Sequence, residues 1–426
     1  MTKPYSSNKF NALQSKAKLC YKIVTILILH IFSTPTIAQD YFISSTGDDS
    51  NSGTKKSPFK SLKRATEDAK PDDTIYIRAG VYPIGNKIKI SGRESQPITI
   101  RAYRDEKVVF QGSYGKDKKF NLNHNMKNDT FTIVGSWLVF KNLEFKNGAT
   151  SIYLKSNASH NRFENISIHD NYYAGFIISD GASYNSIINC DSYNNFDANS
   201  FGEHADGFVV AGYKSQKKSY AGVGNRFINC RAWGNSDDGF DCWMAGNPVT
   251  FINCLSFKNG QDRWHIGKKF RGNGNGFKLG VHNRYGHARD AHLVLNCRAW
   301  KNSSRGFDYN DNEVSITLFR NIAWRNGKVA YKFGLTDHSL IQNIALEPKR
   351  NYISSKVYEE DNSWNRREYK IEDDIISLDD SSVSSSRDRD GDIKRDGFLE
   401  LREGSLFFRE STTKKYRRLI ELIKNR

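Results

Sequence analysis

Four aspartates and a lysine recur at fixed places around a repeated Gly-Phe pair. The pairs are Gly175-Phe176, Gly207-Phe208, Gly239-Phe240, Gly276-Phe277 and Gly306-Phe307. Immediately before the glycines stand Ala174, Asp206, Asp238, Asn275 and Arg305, and two residues after them stand Ile177, Val209, Asp241, Lys278 and Asp308. Aligned on these pairs, Asp206 and Asp238 become neighbours on adjacent repeats. Asp241 and Lys278 become neighbours one repeat further on, and Asp237 adds a fourth carboxylate. Four ionised carboxylates on one face repel one another unless something cationic compensates. Oxygen-only ligands with no Cys/His cluster beside them suit Ca2+ and not Zn2+. Any one Asp-Gly is an ordinary turn. It is the joint register of Asp206, Asp237, Asp238 and Asp241, with Lys278 next, that singles out the group.

Such a register needs a scaffold that stacks equal turns of chain. A second pattern supplies it: an apolar residue, a variable one, Asn, then Cys or an aliphatic, as in Phe163-Glu164-Asn165-Ile166 and Phe227-Ile228-Asn229-Cys230. The asparagines are Asn142, Asn165, Asn189, Asn229, Asn253, Asn296, Asn321 and Asn343, mostly 22–25 residues apart, with two gaps of 40 and 43. That period, tiled by short β-rich stretches and Asn/Gly turns, predicts one coil of a parallel β-helix. Helical solenoids need longer Ala/Leu-rich units, and leucine-rich repeats need a leucine ladder that is absent here. Coils stacked at about 4.8 Å would align like residues into ladders. Cys190, Cys230, Cys254 and Cys297 then form a buried column of free thiols, since unpaired Cys packs as a small hydrophobe.

The two long gaps hold basic, aromatic insertions, Tyr213–Gly222 and Gln261–Gly272, with Val281–Asp290 added to the second. Long loops on a repetitive scaffold carry function more often than packing. Pro58–Ala69 predicts a short amphipathic helix, with Phe59, Leu62, Ala65 and Ala69 on the face that caps the first coil. Thr74–Arg78 and Ile98–Ala102 read as the first strands. The expected division is 1–38 as a signal peptide, 39–345 as a capped β-helix catalytic domain, and 346–426 as a polar tail that wraps the solenoid and ends in disorder.

Composition narrows the partners. The 426 residues carry a net charge of +17, with 38% hydrophobic and 26% charged residues. This is too apolar for a disordered chain and too polar for a multi-pass membrane protein. Residues 1–38 hold five lysines and no acid, so their removal leaves +12. Basic residues up to Lys22, an apolar run from Ile23 to Phe32, and Thr36-Ile37-Ala38 before Gln39 read as an export signal, with a run too short to span a bilayer. Export demotes nucleic acid as the polyanionic partner and leaves anionic lipid or an acidic polysaccharide. The mature chain is expected to be secreted or periplasmic, free of membrane, and monomeric.

The stretches Ala205-Asp206-Gly207-Phe208, Asn235-Ser236-Asp237-Asp238-Gly239-Phe240-Asp241 and Gly272-Asn273-Gly274-Asn275-Gly276-Phe277-Lys278-Leu279-Gly280 resemble the signature segments of family 9 polysaccharide lyases, right-handed parallel β-helix pectate lyases. The likeness runs from about residue 40 to 410 and includes Arg387–Leu401. It implies Ca2+ held by Asp206, Asp237, Asp238 and Asp241, and Lys278 as the Brønsted base. The basic Tyr213–Gly222 insertion departs from the pattern and bears on fine specificity. A uronate carries its C5 proton α to a carboxylate, so a lysine base can remove it and expel the O4 leaving group if its pKa falls through nearby positive charge and desolvation. Activity would then rise toward alkaline pH. Lys268, Lys269, Arg271, Arg284 and Arg305 could hold neighbouring uronates. His265, His282 and His287 receive no role. Asp388–Asp392 is a charged turn and not an EF-hand loop, because in that alignment positions 1 and 12 fall on Ser386 and Gly397. Three other functions stay open: cleavage of rhamnogalacturonan I, a β-helix glycosidase using Asp237, Asp238 and Asp241 as acid and base, and a non-catalytic carbohydrate-binding or adhesin protein.

Overall fold

The computed structural model describes residues 37–114, 128–212, 220–281, 291–347, 350–366, 370–388, 390–405, 407 and 414–424. The chain divides into two units, 1–39 and Asp40–Arg426. The proposed signal segment falls almost wholly outside the described residues. No helix among those residues is long and apolar enough to cross a membrane.

From Asp40 onward the chain winds into stacked coils whose paired strands run parallel, forming a twenty-stranded and a ten-stranded sheet. This is the right-handed parallel β-helix that the repeat predicts. The Gly-Phe pairs build the ten-stranded sheet in the predicted register: Phe176 pairs with Phe208, Phe208 with Phe240, Phe240 with Phe277 and Phe277 with Phe307. Their rings point inward and stack, with centroids 5.2, 4.8 and 5.0 Å apart from Phe208 to Phe307. Alternation then turns the next residue outward. Val209, Asp241, Lys278 and Asp308 therefore lie in one outer column.

The asparagines of the sequence pattern occupy a left-handed corner, with φ of 51–57° from Asn142 to Asn296. Their amides bond along the stack, Asn229 donating to Asn189 at 2.7 Å and Asn296 to Asn253 at 2.7 Å. Two members of the predicted ladder belong elsewhere. Arg320 (φ 59°) and Gln342 (φ 53°) hold that corner on the last coils, while Asn321 and Asn343 fall one residue later, in the cysteine column. There Asn321 accepts the Cys297 N–H at 2.8 Å and donates to Asn343 at 2.9 Å. The four cysteines of that column, and Cys242, are free and buried.

A different buried ladder fixes the corner that leads into the ten-stranded sheet. Asn171, Asn195, Asn235, Asn259, Asn302 and Asn326 are at most 1% exposed and bond amide to amide at 2.8–3.0 Å. Each also uses its carbonyl oxygen to hold a main-chain N–H of the coil before it, as Asn259 does for Asn235 at 3.1 Å. Buried amides must be satisfied, and a repeating amide column does this coil after coil.

The cap is shorter than expected. Its helix is Leu62–Asp68, started by Ser61 accepting the Arg64 N–H. Phe59 instead bridges Ile43 and is fully buried. The first strand is Asp40–Ile43, ahead of Thr74–Ile77 and Ile98–Ala102. Coils also continue past residue 345, through the strands Tyr352–Ile353 and Tyr358–Glu360. Beyond them Ile371, Ile375, Val383, Phe398, Leu399 and Phe407 lie against Phe257, Trp300, Ile322 and Trp324. The helix Arg417–Lys424 packs Ile420 against Ile252, Leu295 and Phe319. An ion cluster pins the tail: buried Asp191 takes Arg231 at 2.6 Å and Arg387 at 2.7 Å.

Candidate active site

Three residues separate the ladder Asn from the glycine on the coil of Asp237 and Asp238 (Asn235 to Gly239), and again from Asn302 to Gly306. On the two coils either side the same corner is swollen, to eleven residues from Asn195 to Gly207 and sixteen from Asn259 to Gly276. Two loops therefore rise beside the short turn that carries the Asp pair. They pack on each other: Phe196 stacks on Trp264 at 4.5 Å, and the Arg271 N–H bonds the Phe201 carbonyl at 2.9 Å. Ser236 Oγ ties the turn to the first loop through the Gly202 carbonyl at 3.0 Å. Gly272 lets the second loop pass so close that a Cβ there would overlap the Ser236 carbonyl oxygen. The extra residues of the first long coil are thus shared between the loop 196–204 and the segment 213–222 that the sequence singled out, of which 213–219 lies outside the described residues.

The acidic residues converge between these walls. Carboxylate oxygens of Asp206, Asp237 and Asp238 lie within 4.8 Å of one another, and all three residues are buried. Each of the four carboxylates is aimed by a main-chain amide: Asp238 N–H to Asp206 at 2.9 Å, Asn273 N–H to Asp237 at 2.9 Å, Asn275 N–H to Asp238 at 2.6 Å, and Trp243 N–H to Asp241 at 2.7 Å. Asn275 adds its side-chain amide to Asp238 at 2.8 Å. Asp241 stands outside the trio, beside Lys278. The Lys278 ammonium lies 3.1 Å from Asp238 Oδ2 and 3.1 Å from Asp241 Oδ2. Asp238 Oδ2 is buried and accepts no well-formed hydrogen bond, so that ammonium is the cation facing it.

The electrostatics follow from burial and crowding. Burial first, then the Asp241 and Asp238 charges, hold the Asp206 carboxyl well above the usual carboxylate range. Asp237 is pushed up in the same way by burial, Asp238 and Asp206, and Asp241 by burial, with Lys278 opposing. For Lys278 burial pulls downward, but the charges of Asp241, Asp238, Asp237 and Asp206 outweigh it and hold the amine well above an ordinary lysine. The lowering expected from basic neighbours is therefore not what these residues produce alone, because the groups around the amine are acidic. The donor set fits a hard cation: three buried carboxylates in reach of one point, oxygen only, mutually repelling until charge is supplied.

The other expected residues are dispersed. Lys268 and Lys269 sit on an exposed single-turn helix, Gly267–Lys269. Arg271 is exposed and lies over the Phe201 ring at 5.7 Å. Arg305 bonds the buried Asp308 at 2.8 Å, one coil beyond Lys278. His265 is exposed on the second loop. Arg284, His282 and His287 lie outside the described residues.

One pair was missed by the sequence reading. Asp197, buried at the root of the first loop, accepts the Asn199 and Ser200 N–H groups at 3.0 and 3.1 Å and faces His204 Nδ1 at 3.3 Å. That contact raises the His204 imidazole above its ordinary value, against burial. The ring lies nearly parallel to Tyr173, with centroids 6.0 Å apart. The available signal was the eleven-residue spacing from Asn195 to Gly207, legible only once the buried asparagine ladder is known.

Comparison with known proteins agrees with this architecture. Residues 41–351 match the family model described as Pel9A-like, right handed beta helix region. A pectate lyase, PEL9, of Emericella nidulans is 33% identical over 392 residues, covering 86% of this chain and 93% of its own. The solved structure of pectate lyase Pel9A superposes with a TM-score of 0.71 at 31% identity, over 88% of this chain and 91% of that one. A structure titled rhamnogalacturonan lyase superposes with a TM-score of 0.73 at 28% identity, over 87% and 99%.

Proposed function

This chain belongs to the Pel9A-like right-handed β-helix family and is a polysaccharide lyase, and from that premise we propose that it cleaves pectate, a polygalacturonate, by Ca2+-dependent β-elimination with Lys278 as the base. The observation that carries the reading is the Lys278 amine, 3.1 Å from both Asp238 and Asp241 at the edge of three buried, converging carboxylates. Asp206, Asp237 and Asp238 would hold the Ca2+, with Asp241 beside them. The bound ion would neutralise these carboxylates and the substrate's own, easing charge build-up at C5 and weakening the field that keeps Lys278 protonated.

Lys278 is then the residue positioned to take a proton. Its amine removes the C5 hydrogen of the uronate, the electron pair forms the C4–C5 double bond, and the C4–O4 bond breaks. The departing oxygen gains a proton from water, leaving a 4,5-unsaturated end and a new hydroxyl end. The Asn273, Asn275 and Trp243 N–H groups fix Oδ1 of Asp237, Asp238 and Asp241 in turn, leaving Oδ2 of Asp238 and Asp241 facing the amine. The loops 196–204 and 261–272 wall the site, and Arg271, Lys268, Lys269 and Arg305 supply positive charge for the acidic polymer. The N-terminal segment supports action outside the cytoplasm.

Rhamnogalacturonan I is the second substrate reading, favoured by the similarity to the rhamnogalacturonan lyase structure. The test is mass spectrometry of products from purified polygalacturonate and rhamnogalacturonan I, with Ca2+ and with chelator. Unsaturated fragments from polygalacturonate that vanish in chelator support the proposal. Fragments that have gained water would replace it with hydrolysis, and equal yields of unsaturated fragments in chelator would overturn the Ca2+ dependence.

A further inference from the structure

The Gly-Phe register fixes what stands on each side of the acidic cluster along the coil axis. Tyr173 is two residues before Gly175, Ala205 two before Gly207, and Asp237 two before Gly239. Since Phe176, Phe208 and Phe240 are in register, these three residues share one column, two coils apart from end to end. The small Ala205, which is buried, stands between Tyr173 and Asp237 in that column. Lys278 flanks the cluster on the opposite, later coil.

His204 stands on Tyr173. Its ring is nearly parallel to the phenol, its side chain is 48% exposed, and Nδ1 faces a carboxylate that is itself buried and fixed by two main-chain amides. An exposed imidazole costs side-chain entropy to hold in one orientation, and a merely solvated histidine needs no buried acid behind it. With Asp197 facing Nδ1 at 3.3 Å, ring geometry turns Nε2 away from Asp197, where it can bond a hydroxyl.

We propose that His204 is a substrate-contacting residue, held by Asp197 and Tyr173 so that Nε2 bonds a hydroxyl of the sugar on the side of the cleaved unit opposite Lys278. The inference deepens the lyase reading and rests on it. Coils and 1,4-linked sugars advance by similar steps, so a polymer laid along the axis meets Lys278 with one unit and His204, two coils earlier, with a unit about two further along. Asp197 acts through the imidazole and is a positioning residue.

The test measures unsaturated-product formation by the wild-type chain, His204→Ala, His204→Gln and Asp197→Asn, with and without added imidazole. Loss of one hydrogen bond to a neutral partner predicts a fall of about threefold to tenfold in kcat/KM for His204→Ala. Imidazole should restore part of it in that variant and none in Lys278→Ala. His204→Gln should retain more activity than His204→Ala, and Asp197→Asn should fall between wild type and His204→Ala. Thermal midpoints of the His204 variants should stay close to wild type, since the side chain is half exposed and buried Asp197 keeps the Asn199 and Ser200 N–H groups as donors. Unchanged kinetics in His204→Ala, or a loss without imidazole rescue and with a lowered midpoint, would overturn the inference. A wild-type chain that makes no unsaturated product would overturn the lyase reading beneath it, and the inference with it.

Discussion

Replacing Lys278 with methionine tests the electrostatic logic of the site apart from its chemistry. The change keeps the length of the stem and deletes the cation that, among the described residues, faces Asp238 and Asp241 at 3.1 Å. Removing one partner of a buried ion pair costs about 3–5 kcal/mol, because the other charge is left unpaired. In chelator the variant should be less stable than wild type by roughly that amount. Asp206 and Asp237, already raised by burial and by neighbouring carboxylates, will take up part of this cost as protons, so the deficit should be larger at pH 8 than at pH 6. Calcium should reverse it. A ligand at a hundred times its Kd adds about 2.7 kcal/mol, which recovers half or more of the loss. With the ammonium gone as a competitor, the variant should also reach half-maximal stabilisation at lower Ca2+ than wild type. Denaturant unfolding of both proteins in chelator and across a Ca2+ series measures all three quantities. Equal stability in chelator, or no response of either protein to Ca2+, would refute the claim that these carboxylates form a cation site shared with Lys278.

Three further outcomes follow from named contacts. In chelator the wild-type chain should lose stability as pH rises from about 4, because carboxyls whose folded pKa is raised are destabilising once the unfolded chain has released its protons; the slope should flatten in Ca2+, as a pH series of unfolding curves will show. Gly272→Ala should displace the loop 261–272 from the Ser236 carbonyl, lowering kcat/KM while the unfolding midpoint moves little, which steady-state kinetics and thermal unfolding together separate. Arg387→Ala should loosen the tail, since Arg387 bonds Asp191, the Asn229 carbonyl and the Gly391 carbonyl, at a cost of about 1–3 kcal/mol. Asp191 has a lowered folded pKa despite burial, through Arg387 and Arg231, so its contribution is present at neutral pH and lost as pH falls through that value. The variant should therefore begin to unfold at a higher pH on acidification, and proteases should cut sooner between residues 371 and 405.

The columns built on the Gly-Phe pairs were legible because their repeat is nearly rigid. Gly-Phe occurs once per coil, the phenylalanines must stack inward, and period two then forces Asp241 and Lys278 outward together. The corner asparagines were legible until residue types changed: Arg320 and Gln342 adopt the left-handed corner in the last coils, so matching on Asn alone slid by one residue onto the cysteine column. The buried ladder from Asn171 to Asn326 was invisible because insertions of different length separate its members from the glycines they precede. For the same reason the loop 196–204, with Asp197 and His204, was not distinguished from 213–222. The protonation of Lys278 needed distances, since only proximity shows four acids outweighing burial. The tail's polar composition suggested wrapping, but not the apolar contacts of Ile371, Phe398 and Leu399 that hold it.

The proposed elimination needs one amine beside one cation-binding cluster. Its most direct test is the initial rate of new ultraviolet absorbance from polygalacturonate, for wild type and Lys278→Ala, each in Ca2+ and in chelator. Absorbance is expected only from wild type in Ca2+, with the alanine variant reduced at least a hundredfold, about the low end for loss of a general base. Comparable rates from Lys278→Ala, or from wild type in chelator, would contradict it.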